Sequence, residues 1–263
     1  MVDSHTHLND EKLKDRTEEI VSAFAEDGVE AVVNAGFDLP SSKLALVQAE
    51  RYDGIFCTVG CHPHDAKTFD GEFEDFLLNC PKERVVALGE IGLDYYYGLS
   101  EKEVQKQVMR RQIELADALK LPLVLHIRDA HGDAAEILRD MKSHITNGIQ
   151  VHCYSGSAEM VKFYLDFGAY FSFGGSITFK NAKKDDVIRA VPRDRLLLET
   201  DAPYMTPVPF RGNVNEPKYM RYTALKMSEI LGEDYETINI LTRKNALSFF
   251  RLKGKNGHNS LSD

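Results

Sequence analysis

Short apolar segments alternate with longer amphipathic ones along the chain, and this alternation predicts repeated β/α units. The segments with strand character are 2–5, 30–34, 54–60, 84–89, 122–126, 149–152, 169–173 and 195–200. Helical spacing of apolar residues follows them at 10–27, after Pro40, 72–78, 100–119, 133–142, after Ser157, 182–190, 219–231 and 235–251. Expected helix caps are Ser41 or Ser42, Ser157, and a capping box of Ser100 with Glu103. Strands separated by helical crossovers pair in parallel, so one parallel sheet is expected.

Eight such units in 263 residues predict a single-domain α/β fold, the (β/α)8 TIM barrel. A barrel of this kind takes about 250 residues. A doubly wound open sheet is the alternative, but no G-x-G-x-x-G or Walker-type loop follows any predicted strand. We assign residues 1–252 to the barrel and expect the polar segment 253–263 to be a flexible tail.

Charge and hydropathy restrict the class of protein. The net charge of −9 argues against a protein that mainly wraps duplex nucleic acid. It is compatible with a metal-dependent enzyme acting on phosphate esters, because bound cations reverse the sign of the local charge in an acidic pocket. No apolar run approaches the roughly 20 residues that span a bilayer, and Asp3 and His5 interrupt any secretory signal. We therefore expect a cytoplasmic protein without a membrane partner.

The four cysteines form no C-x-x-C pair, so neither a zinc knuckle nor a dithiol redox motif is indicated. Strand parity points Cys57 and Cys61 away from His62, and Cys153 away from His152. We expect these three to face the helical layer, and all four thiols, including Cys80, to be reduced and buried.

Polar side chains recur where the predicted strands end. His5 and His7 lie two positions apart in an extended segment and therefore share a face. The later strand ends supply further polar side chains, namely His62, Glu90, His126, His152 and Asp201. One such histidine is usually structural and one such acid usually caps a helix, but so many would be costly to bury unpaired. A closed barrel gathers its strand ends at one rim, which predicts a divalent-metal site there. Its expected ligands are His5, His7, Glu90, His126, His152 and Asp201.

Six ligands exceed what one catalytic ion needs, since catalytic zinc takes about three and keeps an open position. A two-metal centre is therefore expected, with ions roughly 3.5–4 Å apart. One carboxylate must bridge them, and Glu90, in the middle of the set, is the candidate. No lysine stands at the end of the fourth strand to serve as a carbamylated bridge.

Seven motifs in order resemble the TatD-type metal-dependent deoxyribonucleases of the amidohydrolase-like barrel superfamily. They are Asp3-Ser-His-Thr-His-Leu8, Gly60-Cys-His-Pro-His64, Gly89-Glu-Ile-Gly-Leu-Asp-Tyr-Tyr96, His126-Ile-Arg-Asp-Ala130, Val151-His-Cys-Tyr-Ser-Gly156, Glu199-Thr-Asp-Ala-Pro-Tyr204 and Arg211-Gly-Asn-Val-Asn-Glu-Pro217. The departures are Ile127, where the family usually has serine, and Tyr154, where phenylalanine is common. Neither is a predicted ligand.

The resemblance implies two divalent ions per chain. Mg²⁺ or Mn²⁺ is expected in use, and Zn²⁺ or Ni²⁺ is an option in a purified sample. One ion would be held by His5, His7, Glu90 and Asp201, and the other by Glu90, His126 and His152. The implied reaction is hydrolysis of phosphodiester bonds from the 3′ end of single-stranded DNA, or of RNA, by a two-metal-activated water.

Further roles extend this hypothesis. Asp201 would accept the proton of the attacking water, with Glu90 and His62 as the other catalytic residues. His62 and His64 would contact the scissile phosphate. Arg128 and Arg211 are further phosphate candidates because guanidinium matches phosphate geometry, with a rim salt bridge as the alternative. The remaining candidates are Lys180 as a weaker phosphate contact, Glu199 as a hydrogen-bond partner of a ligand, and Tyr95, Tyr96 and Tyr97 as stacking faces or mere packing.

Two other functions stay open. The same metal platform serves amidohydrolases, so hydrolysis of a C–N or ester bond, including deacylation of D-aminoacyl-tRNA, is an alternative. A non-catalytic metal-binding module is a remote one, because it would predict lost ligands and none is lost.

Overall fold

Eight parallel strands lie side by side in the order of the sequence. They are β1 Val2–Thr6, β2 Ala31–Ala35, β3 Ile55–Val59, β4 Val85–Asp94, β5 Leu123–Arg128, β6 Ile149–Val151, β7 Tyr170–Phe173 and β8 Leu196–Leu198. The seam between β8 and β1 is joined by two backbone hydrogen bonds, from Asp201 N to His5 O at 2.9 Å and from His7 N to Ala202 O at 2.7 Å. The predicted TIM barrel is confirmed.

Helices cover the outside of the barrel. They are α1 Thr17–Ser22, α2 Leu39–Arg51, α3 Gly71–Asn79, α4 Lys102–Leu119, α5 His131–Asp140, α6 Ala158–Leu165, α7 Asp185–Ala190, α8 Met220–Leu231 and α9 Tyr235–Phe249. The computed structural model describes residues 1–252, so the predicted tail 253–263 lies outside the described residues. No helix in 1–252 combines the length and apolar character needed to cross a membrane.

The helix predicted over 10–27 is wrong as a continuous element. The structure has a 3₁₀ turn at Lys14–Arg16 and then only the short α1. The Asp10 carboxylate accepts from Lys12 N at 2.9 Å, and this local bond competes with a helical turn. The predicted amphipathic spacing marks a buried face correctly, because Leu13 and Ile20 are buried. The same spacing is also compatible with two short helical segments.

The predicted caps need correction. Asp38, rather than Ser41 or Ser42, caps α2 by accepting from Ser41 N at 2.7 Å. Pro40 then falls in the first turn, where a missing N–H costs nothing. The capping box of Ser100 with Glu103 does not form, because Ser100 Oγ donates to His64 O at 2.8 Å. Ser157 stands at the N-cap of α6, but its side chain forms no capping hydrogen bond.

All four cysteines are free, as predicted. Cys57 and Cys61 are fully buried in the hydrophobic layer, and Cys80 is buried as well. Cys153 is only partly buried, so the expectation of full burial was wrong for this thiol. Its backbone has a φ of +43° just after β6, which takes it out of the strand alternation on which the parity argument relied.

Strand β4 runs four residues beyond Glu90, further than predicted. It stays paired with β5, with Gly92 opposite His126 and Asp94 opposite Arg128. Gly92 has a φ of +141°, and a Cβ there would lie 2.0 Å from the His126 carbonyl oxygen. Only glycine allows this approach, which brings a second carboxylate, Asp94, to the rim.

Gly92→Ala is expected to lower the free energy of unfolding by about 3 kcal/mol or more. The added methyl group would overlap the neighbouring strand, and alanine is strained at this positive φ. Thermal and urea denaturation measure this loss. Gly98→Ala is the matched control, because Gly98 also has a positive φ, +59°, but open space around it. It should cost only about 1–2 kcal/mol. Equal losses for the two variants would contradict the close approach of β4 to β5.

Candidate metal centre

The six predicted ligands converge on one carboxylate, that of Glu90. Glu90 is buried, and its two oxygens face different sets of side chains. Oε2 lies 3.3 Å from His5 Nε2 and 3.6 Å from His7 Nε2. Oε1 lies 2.8 Å from both His126 Nδ1 and His152 Nε2. One carboxylate therefore stands between two groups of nitrogen donors.

Asp201 completes the first group. Its Oδ1 lies 3.5 Å from His7 Nε2 and 3.9 Å from His5 Nε2. Three sets of donor atoms are close enough to share an ion, namely His5, His7 and Glu90; His5, His152 and Asp201; and His62, Glu90 and His126. His5 and His152 stack with ring centroids 4.0 Å apart, so the two donor groups are in direct contact. All six predicted ligands belong to these sets.

Hydrogen bonds on the far side of the rings decide which nitrogen holds a lone pair. His7 Nδ1 lies 2.9 Å from the Ala35 carbonyl oxygen, which can only accept. His126 Nε2 lies 3.0 Å from Asp94 Oδ2, which is also an acceptor. Each neutral ring therefore carries its proton on the outer nitrogen and turns a lone pair toward Glu90. This is the arrangement a metal ligand needs.

In His62, the nitrogen that faces Glu90 carries a proton instead of a lone pair. His62 Nδ1 accepts from the backbone N–H of His64 at 3.1 Å, so a neutral ring carries its proton on Nε2. That nitrogen lies 3.4 Å from Glu90 Oε1, at the edge of the donor group. Burial lowers the pKa of His62 to about 4; the attraction of Glu90 opposes this shift, and His126 adds to it. A neutral His62 is thus a hydrogen-bond donor to the cavity.

Asp94 is the functional residue that sequence reasoning missed. It is fully buried. Its Oδ1 accepts from the backbone N–H groups of Tyr96 and Tyr97 at 2.9 and 3.0 Å, while Oδ2 faces His126. His64 Nε2 also lies 3.0 Å from Oδ2. The available signal was strand parity, because Asp94 shares a face with Glu90 once the strand continues past it.

Glu199 lies beneath His152 without the hydrogen bond predicted for it, since His152 Nδ1 has no hydrogen-bond partner among residues 1–252. Glu199 Oε2 is 3.7 Å from His152 Nδ1 and accepts from Ser172 Oγ at 2.5 Å. Its Oε1 accepts from Cys153 N at 2.8 Å. The carboxylate is therefore held in one orientation below the imidazole.

Asp3 braces the segment that carries Asp201. Its carboxylate accepts from Thr200 N at 2.9 Å and from Thr200 Oγ1 at 2.5 Å. Burial raises the pKa of Asp3 to about 7, although these hydrogen bonds oppose the rise. Asp3 thereby ties the end of β8 to β1 directly beside the site.

The charges of the site are mutually dependent. Burial alone raises the pKa of Glu90, yet His152, His62 and His5 hold it well below its usual value. Burial also lowers the pKa of His152, but Glu90 and Glu199 raise it well above normal. His5 Nδ1 and His152 Nδ1 are buried and have no hydrogen-bond partner among residues 1–252, while Nε2 of each ring faces Glu90. A set of buried, inward-facing nitrogen and oxygen donors fits divalent metal ions.

A profile of the family described as TatD related DNase matches residues 2–251. The chain belongs to this TatD family. The resemblance inferred from the seven motifs is confirmed.

Several relatives carry the name "Uncharacterized metal-dependent hydrolase". The Bacillus subtilis protein YabD is 41% identical over 254 residues, covering 96% of this chain and 99% of that protein. The Escherichia coli protein YcfH is 34% identical, covering 96% of each chain. Among solved structures, the Escherichia coli TatD homologue YJJV has a TM-score of 0.89 at 29% identity, covering 96% of this chain and 98% of that one.

The TatD-family site opens into a cavity of about 390 Å³. Beyond the proposed ligands His7, Glu90, His126, His152 and Asp201, the cavity is lined by Phe37, His62, His64, Asp65, Tyr97, Arg128, Tyr204 and Met205. Three of the predicted phosphate contacts, His62, His64 and Arg128, therefore face this cavity. The fourth, Arg211, lines a separate cavity together with Lys180.

Within the described part of the chain, residues 1–252, neither predicted arginine forms the rim salt bridge that was the alternative. Among residues 1–252, Arg128 contacts no carboxylate and instead lies over the ring of Tyr96, 3.9 Å from its centroid, and of Tyr97 at 5.0 Å. Tyr96 and Tyr97 are exposed. Tyr95 is half-buried, and its hydroxyl donates to Asp133 at 2.7 Å. Of the three tyrosines, Tyr95 is therefore a packing residue, whereas Tyr96 and Tyr97 are exposed.

Proposed function

We propose that this metal-dependent hydrolase of the TatD family is a two-metal phosphodiesterase that shortens single-stranded DNA, or RNA, from its 3′ end. The observation that carries the proposal is the position of Glu90, whose two oxygens face two separate donor groups. His5, His7, Asp201 and Glu90 would hold one ion. His126, His152 and Glu90 would hold the other. Bound divalent ions supply Lewis-acid stabilisation of the negative charge that develops on the phosphate.

The residues of the chain supply the proton transfer. Asp201 is the more exposed carboxylate, with 14% of its side chain accessible against 4% for Glu90. Burial raises the pKa of Asp201, but the nearby imidazoles of His7, His152 and His5 lower it below its usual value. Asp201 is therefore an ionised base at the wall of the cavity, placed to take a proton from an attacking water.

Three further residues suit the phosphate group. His62 presents Nε2–H to the cavity, and Arg128 presents an unpaired guanidinium there. His64 lines the same cavity beside Asp94. These donors would bind the non-bridging oxygens while water attacks phosphorus and the bond to the leaving oxygen breaks. Cationic and N–H donors match the charge of a phosphodiester better than that of a neutral amide.

The test is a substrate panel with the metal-loaded protein. It contains single-stranded DNA labelled at the 5′ or 3′ end, the same sequence as RNA, a phosphotriester and a D-aminoacyl ester. We expect a ladder of shortened products that keep the 5′ label, with early loss of the 3′ label. Preferred cleavage of the aminoacyl ester would replace the proposal with a deacylase, and bound metal without any turnover would indicate a binding module.

Tyr97→Ala is expected to raise the KM for single-stranded DNA about tenfold. Tyr97 is exposed at the cavity and lies beside Arg128, and stacking on one base is worth about 1–3 kcal/mol. Steady-state kinetics on a labelled oligonucleotide measure the effect. Tyr97→Phe is the matched control and should keep the wild-type KM, because it retains the ring. An unchanged KM for Tyr97→Ala would assign this tyrosine to packing.

A further inference from the structure

A second cavity lies at the same rim as the metal cavity. It has a volume of about 260 Å³ and is formed mainly by the segment 176–184 after β7, together with Arg211. The two cavities are neighbours, because a Cβ on Gly175 would lie 2.1 Å from the carbonyl oxygen of Met205, which lines the metal cavity. Arg211 belongs to the same loop after β8 as Met205.

Three cations line this second cavity, namely Lys180, Lys184 and Arg211. Within residues 1–252, none of them forms an ion pair with a carboxylate. Lys184 Nζ donates to the Ser155 carbonyl oxygen at 2.9 Å. The Arg211 guanidinium lies over the Phe179 ring, 4.3 Å from its centroid. Three unpaired cations around one cavity are unexpected in a chain of net charge −9.

Of the three cations, Lys184 is the one for which burial makes the lack of an anion costly, whereas Lys180 and Arg211 are exposed. Lys184 is half-buried, and that burial lowers its pKa. A cation withdrawn from water is stabilised when a negative group reaches it. Arg211 is exposed, and its guanidinium carries N–H donors that match the geometry of phosphate oxygens. The cavity therefore has the charge and the donors of a phosphate site.

We propose that the second cavity binds a backbone phosphate of the same nucleic-acid strand whose end occupies the metal cavity. This rests on the proposed function and deepens it, because it makes the preferred substrate an oligonucleotide rather than a single diester. Arg211 thus contacts a phosphate other than the scissile one. When the end of a strand occupies the metal cavity, the next phosphate of the same strand is the anion closest to the second cavity. This phosphate accounts for the cationic lining of that cavity.

The test compares Lys180→Gln/Lys184→Gln with the wild type on two substrates, a single-stranded decanucleotide and bis(4-nitrophenyl) phosphate. The double variant should lose about tenfold more kcat/KM on the decanucleotide than on the single diester. Affinity for a fluorescent decanucleotide is followed by anisotropy across salt concentrations. Loss of the contact to this one phosphate on a single strand should lower the slope of log affinity against log salt by about 0.7.

Lys43→Gln/Lys226→Gln is the matched control for the change in net charge. These lysines pair with Glu72 and Glu229 on the outer helices. The control should keep the wild-type salt slope and the wild-type ratio of the two activities. A control that lost as much as the test variant would overturn the proposal in favour of a general charge effect.

The two proposals fail differently. A wild type that binds the decanucleotide but never cleaves it would refute the phosphodiesterase function. A wild type that cleaves it, with unchanged affinity and salt slope in Lys180→Gln/Lys184→Gln, would refute the second cavity as a strand site. Thermal stabilisation of the wild type by inorganic phosphate, lost in that variant while decanucleotide affinity is kept, would assign the cavity to free phosphate and also overturn the proposal.

Discussion

Glu90→Gln should lower metal-dependent turnover by more than about 100-fold and reduce the number of ions bound at saturation. Loss of a group that merely orients a ligand already costs about 10–100-fold in metal affinity or activity. Glu90 does more, because Oε2 faces His5 and His7 while Oε1 faces His126 and His152. Glutamine keeps the shape but removes the charge and one acceptor.

Metal analysis and single-turnover kinetics measure the two effects together. We expect more than one ion per wild-type chain, and a lower stoichiometry with Glu90→Gln. Circular dichroism should show an intact barrel in both proteins. Glu72→Gln is the control, because Glu72 is exposed and pairs with Lys43 on a neighbouring helix, away from the site. Full activity of Glu90→Gln would contradict the proposed bridging role of Glu90. One bound ion per wild-type chain would indicate a mononuclear hydrolase.

Asp94→Asn is expected to raise the metal concentration needed for half-maximal activity by about 10–100-fold. The backbone N–H groups of Tyr96 and Tyr97 hold Oδ1, so the new amide nitrogen must take the place of Oδ2. It would then point an N–H at His126 Nε2, which already donates. His126 would have to move its proton to Nδ1 and lose the lone pair that faces Glu90.

Metal titrations of activity measure this change. Asp133→Asn is the matched control, since Asp133 lies near the same loop but binds Tyr95 and Lys106 outside the cavity. It should keep the wild-type metal dependence. Because the tautomer of His126 is at issue, its ring signals in a nitrogen NMR spectrum should shift in Asp94→Asn only. Unchanged metal dependence and an unchanged tautomer would show that Asp94 does not orient this histidine.

The different behaviour of the two predicted arginines bears on how the substrate is held. Arg128 faces the metal cavity together with His62 and His64. Arg211 faces the neighbouring cavity with Lys180 and Lys184. If both proposals are correct, the scissile phosphate and a more distant phosphate are bound by separate groups of side chains. Loss of the first group would then depress kcat on every diester, whereas loss of the second would weaken only longer strands.

The sequence by itself determined the barrel and the meeting of the six proposed ligands. Eight buried strands with crossovers leave few alternatives to a closed parallel sheet. Each proposed ligand lies in the carboxyl-terminal half of a strand or within three residues after it, so closure of the barrel suffices to gather His5, Glu90 and Asp201 from distant parts of the chain. These conclusions depend only on local periodicity and position.

Tertiary structure alone decided the features that depend on contacts between elements. The helix over 10–27 broke into two short turns, and Asp94 joined the site because β4 stays paired with β5 through Gly92. Which nitrogen of His7, His62 or His126 faces the cavity depends on a partner from elsewhere in the fold or from a local turn. Sequence places a ligand at the rim; only the packed barrel orients its lone pair and separates one phosphate-suited cavity from the next.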